Sequence, residues 1–96
     1  MNASWKFYGI DMTVPEYERL LAEQGNICAL CEKPPIKGSR LVPDHDHETG
    51  VIRGLIHSRC NLLLGNANDS SELLDFAARY LRKSLNGLSA KVAGVN

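Results

Sequence analysis

LVPDHDHETGVIRGLIHSRCNLLLG, residues 41–65, holds all three histidines of the chain, the last of its three cysteines and an asparagine next to that cysteine. Two short apolar runs, residues 40–43 and 51–55, lie on either side of Glu48, Thr49 and Gly50, which read as a turn. That pattern predicts a β-hairpin. Residues 59–64 are good helix formers, and Gly65 is expected to close the helix. A hairpin followed by a helix is therefore the expected centre of the fold.

Upstream, Cys28-Ala-Leu-Cys31 has the same two-residue gap as His57-Ser-Arg-Cys60. Three thiolates and one imidazole are a ligand set for tetrahedral structural zinc. A two-residue gap lets two ligands meet one ion from the same side, and positions three apart at a helix start share a face. A lone C-x-x-C would equally suit a redox motif or small buried side chains; the matched second pair favours the metal. Four protein ligands leave no open position, so this ion is expected to fold the domain rather than to do chemistry.

The length fits that expectation. Ninety-six residues make one small domain with a modest core, where a staple is often needed. Three cysteines cannot all pair as disulfides. The first residues lack the pattern of a secretory signal, and no apolar run approaches the roughly 18 residues of a membrane span. A cytoplasmic protein with no membrane partner is expected. Lys plus Arg equal Asp plus Glu at 11 each, which gives no hint of a polyanionic partner. The distribution is uneven, however, and Arg79, Arg82, Lys83 and Lys91 have no acidic residue among them. They complement a helix C-terminus or form a phosphate-binding arm.

Working outward, residues 1–12 show neither helical nor strand period, and Trp5, Phe7, Tyr8 and Ile10 predict an irregular or short extended arm against the body. Thr13-Val-Pro-Glu16 has capping-box spacing, and Tyr17, Leu20 and Leu21 recur at helical spacing before Gly25, so a first helix is expected over about 14–24. Residues 32–38, with two prolines and a glycine, predict a loop. Residues 66–71 read as a polar linker with a second capping signature over Asp69 to Glu72. Leu73, Leu74, Ala77, Tyr80, Leu81 and Leu85 predict one apolar face of a last helix ending near 84–86. The final SAKVAGVN is expected to be frayed.

Asp44-His45-Asp46-His47 lies at the end of the first expected strand. Neighbours in a strand point to opposite faces, so Asp44 and His45 can serve one site only if the strand ends or bends there, and Pro43 is a plausible cause. A carboxylate suits a hard metal ion, and a histidine is a natural general base for water. Asn61 stands one helical step of about 100° from Cys60, so a helix that aims Cys60 at zinc aims Asn61 elsewhere and holds it there.

Taken together, C-x-x-C, DHDHETG and VIRGLIHSRCN resemble the recombination endonuclease VII family of bacteriophages, within the His-Me finger (HNH-type, ββα-metal) nucleases, over roughly residues 8–80. The resemblance implies a small α+β, zinc-stapled domain with a ββα-metal core between an N-terminal and a C-terminal helix, spanning residues 1–96 with its core at about 8–84. It implies a metal-dependent endonuclease that hydrolyses DNA. Asp44 resembles the family's metal-binding acid, His45 its general base, Asn61 its second ligand for a catalytic Mg²⁺ or Mn²⁺, and His47 an additional site histidine. Cys28, Cys31 and Cys60 match three zinc cysteines. His57 stands where the family usually has a fourth, and imidazole is an ordinary zinc ligand. Val42 and Leu64 occupy positions where some members carry further site residues, and the best-known members continue beyond this chain's last helix into a region used in dimerisation and branched-DNA binding.

Asp44 and Asn61 supply only two oxygens, so water and the scissile phosphate must complete the catalytic ion's shell, and that ion is expected to bind mainly with DNA. Arg53 and Arg59 flank the site and could hold neighbouring phosphates; solvated or locally paired arginines are the alternative. Asp46 and Glu48 are expected to shape the turn, orient a histidine or face water. Duplex, nicked and branched DNA all remain open as substrates, as do monomer and homodimer. Two other readings compete: a non-catalytic zinc-stapled nucleic-acid-binding module or phage packaging accessory, and a protein-interaction adaptor using the last helix. The trio Asp44, His45 and Asn61 favours the nuclease, since a binding module has no need of it.

Overall fold

Thr13 starts the first helix as its sequence demands. Its hydroxyl accepts from the Glu16 N–H, and the Glu16 carboxylate accepts from the Thr13 N–H, completing the capping box. The computed structural model describes residues 4–7 and 10–85. In chain order these form β1 (Ser4–Phe7), β2 (Ile10–Thr13), α1 (Val14–Glu23), β3 (Val42–His45), β4 (Ile52–Ile56), α2 (Ser58–Asn66) and α3 (Ser71–Leu85). The expected fraying of residues 89–96, and the packing of the Trp5, Phe7, Tyr8 and Ile10 side chains, lie outside what is described. The result is an α+β chain with two antiparallel two-stranded sheets, β1–β2 and β3–β4. It divides into two compact units, residues 1–63 and 64–96.

In the first unit the arm expected to be irregular or short and extended is extended, and its two segments pair as a hairpin, with Ser4 opposite Thr13 and Phe7 opposite Ile10. Each strand alternates apolar and polar residues, Trp5-Lys6-Phe7 and Ile10-Asp11-Met12, on either side of Gly9. α1 stops where expected, with Gly25 and Asn26 both in the left-handed region. Buried Tyr17 donates its hydroxyl to the Leu41 carbonyl and ties α1 to the chain entering β3.

The hairpin of residues 41–56 forms, shifted from its expected bounds: β3 runs through Asp44 and His45, and Arg40 is outside it. Pairs Val42–Ile56, Pro43–Leu55 and Asp44–Gly54 keep one register, and His45 then faces Ile52, leaving Arg53 as an extra residue on β4. The irregularity at Asp44–His45 is therefore a bulge on the partner strand and not a bend caused by Pro43, which is paired within the strand. Met12, Tyr17, Cys28, Leu41, Val42, Pro43, Leu55, Ile56 and Cys60 are the unit's described buried apolar side chains. Two of these nine are thiols, so little hydrocarbon holds this unit together.

The second unit holds the end of α2, a turn and α3. α2 does not stop at Gly65 but reaches Asn66, because the left-handed residues that end it are Asn68 and Asp69. Ser70, not Asp69, caps α3: its hydroxyl accepts from the Leu73 N–H at 3.0 Å, and a left-handed Asp69 lacks the extended backbone of a cap. The apolar face expected on α3 is largely open. Leu73, Phe76, Tyr80 and Leu81 are each about half or more exposed, and of the residues assigned to that face only Leu74 is half-buried among those described. Arg79 lies over the Phe76 ring, 4.5 Å from its centroid. No helix among the described residues is long and apolar enough to cross a membrane.

Candidate functional site

Cys28, Cys31, His57 and Cys60 converge, with one ligand atom from each lying within 4.8 Å of the others. The Cys28 and Cys60 sulfurs are 3.9 Å apart, and His57 Nδ1 is 3.3 Å from Cys31 Sγ and 3.9 Å from Cys60 Sγ. Thiolates about 2.3 Å from a tetrahedral ion stand about 3.7 Å from each other, so these separations fit a zinc-sized cation. His57 Nε2 lies 2.9 Å from the Pro34 carbonyl. A carbonyl only accepts, so Nε2 carries the proton, and Nδ1 turns its lone pair toward the thiols. The four residues can therefore hold a structural metal such as zinc.

Backbone geometry builds this cluster. The N–H groups of Leu30, Cys31 and His57 point at Cys28 Sγ from 3.3–3.4 Å, and Glu32, at φ 62, turns the knuckle so that its N–H reaches the Cys28 carbonyl. Burial opposes ionisation of Cys28, but those N–H groups outweigh it and hold the thiol well below its usual range. Burial and the adjacent Cys28 sulfur push Cys60 upward. The rise at Cys60 reflects thiols crowded beside it, which a bound cation would relieve.

Two residues that sequence reasoning passed over fix the cluster to the hairpin. The Gln24 side chain donates to the Leu55 and Ile27 carbonyls at 2.9 Å and accepts from the Leu55 N–H at 2.7 Å. Gly54 leaves room for this: a Cβ there would lie 3.0 Å from the Ala29 Cβ and 3.3 Å from Gln24 Oε1. A glycine inside an apolar strand was the available signal. Nothing in the sequence distinguishes Gln24 from an ordinary polar residue at a helix end.

At the other end of the hairpin, Asp44 is buried at 6% exposure and bound by both arms of the Arg53 guanidinium. Nε donates to Oδ2 at 2.7 Å and Nη2 to Oδ1 at 2.9 Å. In unbroken register Arg53 would face His45 and point away from the Asp44 side; the extra residue re-aims it. His45 is half-buried, its ring 4.8 Å from that of exposed His47. Asp46 belongs to the turn: Oδ1 accepts from Glu48 and Thr49, its N–H donates to Val51, and its carbonyl accepts from Gly50. The Thr49 and Glu48 N–H groups hold its carboxyl below the usual aspartate range. Asn61 is half-buried in the first turn of α2, one residue past Cys60, and Arg59 is exposed beside them.

The family model described as recombination endonuclease VII matches residues 3–83. The chain is 46% identical over 77 residues to the Gene 59 protein of Mycobacterium phage D29, covering 79% of this chain and 46% of that protein. It is 41% identical over 88 residues to the Gene 59 protein of Mycobacterium phage L5, covering 91% and 51%. The chain thus spans about half the length of these curated relatives. No solved structure matches it. The family match takes in every ligand of the metal cluster and every residue of the Asp44 end, and on it the chain belongs to the recombination endonuclease VII family.

Proposed function

We propose that this chain is a metal-dependent DNA endonuclease, with residues 1–96 acting as one nuclease domain around a His-Me finger core of β3, β4 and α2. The observation that carries this reading is membership of the recombination endonuclease VII family across residues 3–83. In the proposal zinc at Cys28, Cys31, His57 and Cys60 is structural. It fixes the start of α2, and with it the direction of Asn61. Asp44 and Asn61 offer a carboxylate and an amide oxygen, the hard donors that Mg²⁺ or Mn²⁺ takes. An ion held there supplies Lewis-acid stabilisation of charge on the phosphate.

His45, half-buried beside Asp44, takes a proton from water, which attacks the phosphorus in line with the leaving oxygen. His47, whose ring neighbours that of His45, contacts the phosphate, and exposed Arg59 holds a flanking one. The substrate is duplex, nicked or branched DNA, met in the cytoplasm of the cell that makes the protein, and a homodimer would deliver paired cuts.

The test is cleavage of supercoiled plasmid and of a synthetic four-way junction with Mg²⁺, Mn²⁺ or EDTA, comparing the unaltered chain with His45→Ala. Expected is metal-dependent cutting that falls about 10²–10⁴-fold in the variant while its zinc-loaded fold is kept. Equal rates in the two proteins remove His45 from the role of base. No cutting by folded protein sinks the reading.

A further inference from the structure

The carboxylate assigned above to the divalent ion already has a cation on it. Arg53 grips both oxygens of Asp44, at 2.7 and 2.9 Å, in the fork geometry that makes such pairs strong. The carboxylate is 8% exposed and the arginine side chain 37%, so Arg53 stands between a buried anion and solvent. A divalent ion arriving at Asp44 would place a second cation within a few ångströms of the guanidinium, on an anion with one negative charge to share. Strong binding of both at once is disfavoured.

We infer that Arg53 is a latch on the metal position: it occupies Asp44 in the DNA-free protein and leaves it when ion and DNA arrive together. The inference rests on the nuclease reading. Arg53 is the extra residue of the bulge, so Gly54 and Ile52 can keep their pairing with Asp44 and His45 while its side chain swings. A guanidinium leaving a carboxylate needs another anion with paired oxygens, and DNA phosphate is the one the proposed reaction brings to that place. Metal entry, arginine release and phosphate binding then become one coupled event. Divalent ions bind weakly to the free protein and more tightly once DNA offers Arg53 somewhere else to go. Had Arg53 been a fixed support that aims Asp44 at the metal, its removal would weaken metal binding, so the two roles differ in sign.

The experiment is a Mn²⁺ titration of zinc-loaded protein without DNA, followed by electron paramagnetic resonance. Arg53→Gln is expected to raise Mn²⁺ affinity about tenfold, and Arg53→Lys, which keeps a charge but loses the fork, to raise it by less. Unchanged or lowered affinity overturns the latch. So does a gain that survives addition of Asp44→Asn, because the ion is then elsewhere. Circular dichroism checks that each variant folds, and if Arg53→Gln does not, Arg53→Lys decides alone by the same sign. If Arg53→Gln tightens on Mn²⁺ yet the unaltered protein cuts no DNA, the nuclease reading sinks and only the competition of Arg53 and metal for Asp44 stands. If the unaltered protein cuts DNA while Arg53→Gln leaves Mn²⁺ affinity unmoved, the latch sinks and the nuclease reading stands.

Discussion

The two ends of the β3–β4 hairpin treat their charged groups in opposite ways. Beyond the Val42–Ile56 end, three thiols and an imidazole converge, with the imidazole tautomer set by Pro34 and three N–H groups aimed at one sulfur. At the bulged end, a single buried carboxylate is closed by the protein's own arginine. The first arrangement is prepared for a cation whether or not a substrate is present. The second is stable without one. On the proposal that Asp44 takes a divalent ion only with DNA, the two ends would differ in what their donors do when alone: the first crowds together and needs its ion, whereas the second has an internal partner to return to.

The largest effect that would break this comparison concerns the first end. Cys28→Ser and Cys60→Ser each remove a buried ligand from a unit with few buried apolar side chains. Metal affinity at such sites, on the order of 10 kcal/mol, rivals the whole stability of a small domain. Both variants, and the unaltered chain after chelation, should lose the cooperative melting transition followed by circular dichroism, and zinc should restore it only in the unaltered chain. A normal melt from metal-free protein would remove the distinction between the two ends.

Much of the first end was legible in the sequence, and little of the second. Cys28, Cys31, His57 and Cys60 are readable because ligand spacing is a local property, and each pair sits within one knuckle or one helical turn. The α1 cap was readable for the same reason, since Thr13 and Glu16 are three residues apart. The Asp44–Arg53 pair joins two strands through a bulge, and a one-residue slip in register follows from the partner strand rather than from the run around Pro43. Arg53 was legible as a basic residue near the site but not as the partner of Asp44. The start of the chain was legible but not used: Trp5-Lys6-Phe7 and Ile10-Asp11-Met12 alternate apolar and polar residues on either side of Gly9, the pattern of the two strands that pair there. α3 carries a readable period, but a period cannot say whether anything covers the face it makes.

A moderate effect sharpens the comparison by separating the cluster from its support. Gly54→Ala puts a methyl 3.0 Å from the Ala29 Cβ, on the knuckle between two metal ligands, and 3.3 Å from Gln24 Oε1. The strand or the knuckle must give, at a cost of about 1–3 kcal/mol. Because no ligand is altered, zinc content should stay at one ion per chain while the denaturation midpoint falls. Loss of zinc along with stability would show that the strand contact, and not the ligand set alone, makes the first end permanent.

The smallest effect lies away from both ends, and gives a baseline for what an exposed charge contributes. The Thr13 N–H and hydroxyl hold the Glu16 carboxyl below its ordinary value of 4.5. A carboxyl whose folded pKa is depressed adds stability that is fully present above the unfolded value and is lost as pH falls through the folded one. Glu16→Gln keeps an acceptor for the Thr13 N–H but removes the charge, so the unaltered chain should melt slightly higher than the variant at pH 6–7. The gap should be smaller than that caused by Gly54→Ala, and should close as pH drops below about 4.5. Comparing the two at each pH cancels the acid sensitivity of the metal cluster, because both carry the same four ligands. A gap that instead widened toward acid would mean that Glu16 is better satisfied when protonated, contrary to the two bonds that cap α1.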